Sequence, residues 1–120
     1  MRHVVHHAIV VTSYDGGRAD KARRMAVELD CSVTPLIQSN VNDDWTFLVG
    51  PDCSKSGWSD SDEGDARRDE FVEWLRSHRF DDGSSPYQWV EVSYSSDDEK
   101  ASIVRHEWKR GAPHTESEKR

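Results

Sequence analysis

Two cysteines in 120 residues are too few for a disulfide framework. Cys31 and Cys53 therefore read as reduced thiols, and a reducing cytoplasm is the expected location. Long apolar runs are missing as well. Nothing approaches the roughly 20 residues of a membrane span, and the His-rich start MRHVVHHAIVV reads as a strand rather than a signal peptide. An excess of positive charge is absent too: 16 Lys and Arg face 23 Asp and Glu, for a net charge of −7. That balance opposes binding to nucleic acid or to an anionic membrane surface. Hydrophobic residues make up 34% and charged residues 32%, so the core must be small. Five Trp, three Tyr and three Phe compensate, since each aromatic buries a large area.

The usual chemical signatures are also lacking. Asp60-Ser61-Asp62-Glu63-Gly64-Asp65 invites a calcium reading, but starting from Asp60 the loop positions that need Gly and Glu hold Asp65 and Phe71. His3, His6, His7 and His106 form no HExxH pattern, and no cysteine pair has zinc spacing. The His-x-Ser/Thr pairs of a two-histidine phosphodiesterase are absent, because Ala8 and Trp108 stand two places after His6 and His106. GPDCSKSG (Gly50–Gly57) lacks the Gly-Lys-Ser/Thr order of a phosphate loop. Cys53 near Lys55 has no local base to make it a nucleophile, and WTFLVG lacks the basic-Gly-aromatic run of an RNA-binding sheet. No cofactor or metal site is expected.

What is present centres on Trp45–Arg79. Trp45, Phe47 and Val49 alternate with Thr46, Leu48 and Gly50, the pattern of a strand with one aromatic face. Gly50-Pro51 ends it. Phe71, Trp74, Leu75 and His78 stand at i, i+3, i+4 and i+7, the inner stripe of a helix that Val72 widens. Ser59 or Asp60 is the expected cap, with Asp62 or Glu63 answering. Acids cluster at the start and Arg76, His78 and Arg79 at the end, as the helix dipole favours. Asp81-Asp82-Gly83 is the stop.

Along the chain, Val4–Ser13 reads as a first strand and Tyr14–Gly17 as a turn. Arg18–Leu29 reads as a helix with inner residues Ala22, Met25, Ala26 and Leu29, closed by Asp30–Ser32. Val33–Gln38 reads as a strand, with Pro35 marking an edge or a bulge. The turn SNVNDD (Ser39–Asp44) should join it to Trp45–Val49 as a hairpin. Two alternating runs follow. In Tyr87–Tyr94 one face is Gln88, Val90, Val92 and Tyr94. In Ala101–Trp108 one face is Ser102, Val104, His106 and Trp108.

The order β-α-β-β-α-β-β predicts one α+β domain over residues 1–108. It is expected to be ferredoxin-like, an antiparallel-rich sheet with two helices on one face and an added C-terminal strand beside the fourth. Residues 109–120 read as a charged, disordered tail.

The stretch from Trp45 to Leu75, WTFLVGPD…SK…GW…SD…GDARRD…F…WL, resembles small uncharacterised accessory proteins of actinobacterial phages. The resemblance covers the middle third and carries no active-site motif. It implies an accessory protein that binds a component of the host cell.

The expected function is that of a non-enzymatic interaction protein. It docks on a host or phage protein through the loop Asp52–Asp62 or through the open sheet face. Asp52, Lys55, Trp58, Asp60 and Asp62 are the expected contact residues, and Trp58 is the motive, because a Trp in a polar loop either folds onto the core or anchors an interface. Two rivals stand beside it. One is a small enzyme on a ferredoxin-like dimer, with a pocket between sheet and helices. The other is a structural homodimer pairing through the open sheet face.

Overall fold

The computed structural model describes residues 5–51, 59–95 and 100–107. The expected tail at 109–120 and the chain from Asp52 to Trp58 lie outside the described residues.

The first strand, β1 (His6–Ser13), enters its helix through Asp15, whose carboxylate accepts from Gly17 N (2.8 Å) and Arg18 N (3.3 Å). The expected turn at Tyr14–Gly17 is thereby corrected. Asp15 is the cap and Gly16 and Gly17 are already helical, so α1 spans Gly16–Glu28. Gly16 is required sterically, since a Cβ there would stand 2.9 Å from Trp45 Nε1. Ala19, Ala22 and Ala26 are the buried stripe, with Met25 and Leu29 half-buried beside them. The helix closes with Asp30 at φ 68° and Cys31 N donating to Ala26 O at 3.0 Å.

The expected strand Val33–Gln38 is reduced to β2 (Ile37–Gln38) and an isolated bridge from Val33 to Val49. Pro35 falls in the gap, where it can donate nothing to a ladder. Thr34 holds the interruption together: its N donates to Leu48 O and its Oγ1 accepts from Leu48 N, both at 3.0 Å. The hairpin to β3 (Trp45–Val49) forms as expected, and its turn is built by the Ser39 hydroxyl and the Asn42 side chain.

The second helix, α2, spans Ser59–Ser77. The helix begins at Ser59, where Ser59 or Asp60 is the expected cap; the side chains of both lie outside the described residues. The helix also stops two residues before Arg79, and the Asp81–Gly83 turn (Gly83 φ 88°) lies beyond it. Two strands follow, β4 (Tyr87–Ser95) and β5 (Lys100–Glu107).

The fold is α+β: one five-stranded antiparallel sheet and two helices. The strand order is β2-β3-β1-β4-β5. Ile9, Val11, Phe47, Val49, Tyr87 and Trp89 all point to one side, since their register partners are Ile9–Val49, Val11–Phe47, Val11–Trp89 and Ser13–Tyr87. On that side they form one buried cluster with Ala22 and Ala26 of α1 and Phe71, Val72 and Leu75 of α2. Both helices therefore cover the same side. Each fully buried side chain of this size contributes on the order of 1.5–3 kcal/mol. Trp74, half-buried at the rim, lies 5.8 Å from the Tyr87 ring.

One expectation about β5 needs correcting. Val92 pairs with Ile103 and Glu91 with Arg105, so Val104 is an extra residue in a β-bulge. The bulge breaks the alternation. Ser102 lies opposite Ser93 on the helix side and His106 opposite Val90 on the other, so the expected common face of Ser102, Val104 and His106 does not exist.

Candidate functional site

The helix side of the sheet is apolar until Glu91. This carboxylate is 1% exposed, and it follows Tyr87 and Trp89 on the same face of β4. A lone buried carboxylate is costly and must be paired. Three elements bring its partners. From β5, Arg105 Nε donates to Glu91 Oε1 at 2.5 Å, and its Nη2 to Asp69 Oδ1 at 2.7 Å. From α2, Arg68 Nε lies 3.5 Å from Glu91 Oε2, and its Nη2 donates to Asp65. From β1, His7 Nδ1 stands 3.2 Å from Glu91 Oε2.

The bulge is what makes this cluster. In an unbroken register Val104 would face Glu91, and Arg105 would oppose Val90 on the far side. The extra residue turns Arg105 onto the helix side. Burial works to lower the Arg105 pKa, but its bonds to Glu91 and Asp69 outweigh that and raise it above the usual value. A second pairing continues along the strand: Arg79 Nε donates to Glu107 Oε2 at 2.6 Å, and Trp89 Nε1 to Glu107 Oε1 at 3.2 Å. β5 is thus tied by charge to α2 through Arg105–Asp69 and to the segment just after α2 through Glu107–Arg79.

An open cleft of about 360 Å³ lies over the cluster, walled by His7, Asp65, Arg68, Asp69, Glu91, Val104 and Arg105. An imidazole on a buried carboxylate is one component of general acid–base chemistry. Among the described residues the cleft wall supplies no hydroxyl or thiol to act as a nucleophile, and Glu91 is engaged by two guanidinium groups. Among the described residues no group of three or more His, Cys, Asp and Glu is placed to hold a metal. Elsewhere, Cys31 is a free thiol at a cavity of about 50 Å³. Burial pushes its pKa up, against the pull of Arg67 and Arg68.

Among the described residues, no helix lies on the opposite side of the sheet. Its side chains are Thr46 and Leu48 from β3; His6, Ala8, Val10 and Thr12 from β1; and Gln88, Val90, Val92 and Tyr94 from β4. None is Asp, Glu, Lys or Arg. Ile37, Ile103 and Tyr94 are 61%, 60% and 42% exposed at its margins. Thr12 and Thr46 bond to each other through their hydroxyls at 2.9 Å.

Of the residues expected to make contacts, Asp52, Lys55 and Trp58 lie outside the described residues. Asp60 is in the first turn of α2, and Asp62 is exposed one residue before Glu63. The cluster around Glu91 was not among the expected sites. One signal for it is in the sequence: Gly64, Arg68, Phe71, Val72 and Leu75 form a single helical stripe, so Arg68 sits on the buried side. No helix among the described residues is long and apolar enough to cross a membrane. In comparison with known proteins, no family model, no curated protein and no solved structure matches this chain.

Proposed function

We propose that the protein is a non-enzymatic interaction module that docks on another protein through the uncovered side of its sheet. One observation carries this reading. In a chain with 32% charged residues, the helix-free faces of β1, β3 and β4 hold none, although these side chains are mostly half-buried and Ala8 is buried. Contiguous uncharged surface of this kind is characteristic of an interaction site. We further read the architecture as a split βαβ, ferredoxin-like unit with a strand added at one edge. The run β4-β1-β3-β2 supports that reading, and the two-residue β2 is its weakest part. The resemblance of Trp45–Leu75 to phage accessory proteins supports a partner from the host cytoplasm.

The test compares capture from an actinobacterial lysate by the wild type and by Val90→Asp. Loss of a specific protein by the variant, with an unchanged circular-dichroism spectrum, supports docking through the sheet. Equal capture by both sinks it. Retained capture that is lost in Trp58→Ala moves the contact to the Asp52–Asp62 loop.

A second reading is favoured by the His7–Glu91 contact in an open cleft. It makes the protein a small acid–base enzyme with His7 as the proton carrier. His7→Gln removes the carrier while leaving the ion pairs of Glu91. Any turnover that survives this change rules the reading out.

A further inference from the structure

We infer that the occupant of the open sheet face is a second copy of this chain, seated about a two-fold axis that crosses β1 near Val10. The inference rests on the reading of that face as a docking surface and names its partner.

Three observations select this occupant. First, charge. The molecule carries −7, yet the face of the three central strands carries no charged side chain. A basic partner would call for acids on this surface, and an acidic partner for bases. A second copy calls for neither, and the like charges of the two chains stay on the helix sides and edges. Second, self-complementarity. A two-fold contact places the same patch against itself. β1 is the middle strand, flanked by β3 and β4, so Val10 has Leu48 on one side and Val90 on the other. An axis at Val10 sets apolar groups on apolar groups, with the Thr12–Thr46 hydroxyls and Gln88 toward one end. Third, size. The five strands hold 8, 2, 5, 9 and 8 residues, and at about 4.8 Å spacing and about 3.3 Å rise they make a face of roughly 500 Å² before side-chain relief. A standard interface needs about 800 Å² from each partner, so a face-to-face pair has the size of a weak, reversible dimer.

The chain's own outlying segments are poor rivals for this place. Residues 108–120 (WKRGAPHTESEKR) carry six charged side chains and one large apolar one, and residues 1–4 are too few to span five strands.

The test is sedimentation equilibrium on the full chain from about 1 to 200 μM, with wild type, Val90→Asp, Val90→Lys and an equimolar mixture of the two variants. The expected wild-type mass rises to twice 13.8 kDa within this range. Each variant alone stays monomeric, with at least a tenfold weaker association, and the mixture dimerises again because opposite charges meet across the axis. Val90→Thr, which keeps the shape without a charge, guards against misfolding: it is expected to dimerise, and failure of all three variants to give a native near-ultraviolet spectrum moves the comparison to Leu48→Asp. A wild-type monomer at 200 μM overturns the second copy. If Val90→Asp then still abolishes lysate capture, the docking surface stands with a different occupant; if capture persists, both readings fall. A wild-type dimer untouched by Val90→Asp or Leu48→Asp places the interface elsewhere and overturns the inference.

Discussion

The two sides of this sheet are made from the same strands, alternating residue by residue, yet they solve opposite problems. The helix side packs Phe47, Tyr87, Trp89 and Ile9 to zero or near-zero exposure, and then inserts one carboxylate that Arg68 and Arg105 neutralise, with His7 in hydrogen-bond contact. The far side of β1, β3 and β4 is uncharged and mostly half-buried. The lesson is that packing demand draws charge even onto the covered side: the Glu91 pairs fasten strands to a helix, beside ordinary pairs such as Arg24–Asp20 and Arg67–Glu63 on the exposed helix surfaces, while the helix-free sheet face carries none among the described residues.

The contrast can be broken first at the covered side. Phe71→Ala empties the centre of the core, where its ring meets Phe47 and Trp74. It should cost about 3–5 kcal/mol in chemical denaturation. Glu91→Gln follows at about 3 kcal/mol, because it leaves Arg68 and Arg105 without their shared counter-charge. A loss below about 1 kcal/mol would show that the cluster is solvated and does not hold β5. Tyr87 gives a pH probe of the same side. Its hydroxyl donates to Arg18 O at 3.0 Å, and burial first of all pushes its pKa to about 12 from the usual 10. The folded state therefore holds this proton more tightly than the unfolded chain. The contribution is complete below pH 10 and fades as pH rises toward 12, by roughly 2–3 kcal/mol in total. Tyr87→Phe should remove that step from the stability–pH curve. Gly16→Ala forces Trp45 to move and should cost about 1–3 kcal/mol in the same assay. On the open side, Val90→Thr should change monomer stability by less than about 1 kcal/mol. A larger loss would mean that this face is already part of the core.

Much of the scaffold was legible from the chain alone. Trp45–Val49 and the inner residues Phe71, Val72 and Leu75 were read correctly, since alternation and helical spacing report directly on which side of an element is buried. The short β2 was half legible: Pro35 announced an interruption without saying that only Ile37 and Gln38 would pair. The start of α1 was misread because Asp15-Gly16-Gly17 satisfies turn chemistry as well as it satisfies a cap. The cleft was not legible. Arg68 looks like any surface arginine until its place on the stripe is counted, and Glu91 looks like the polar partner of an exposed face. Which face of β4 is inside depends on its neighbours. The position of Arg105 depends on one unpaired residue, and strand periodicity carries no mark of it.

That unpaired residue, Val104, has an unexpected implication for how tolerant the C-terminal edge is to changes in length. Removing it would restore plain alternation while keeping Ile103 against Val92 and Arg105 against Glu91. The strand could therefore lose an amino acid there without any side chain trading sides, whereas a deletion in β4 would exchange inside for outside along everything beyond it.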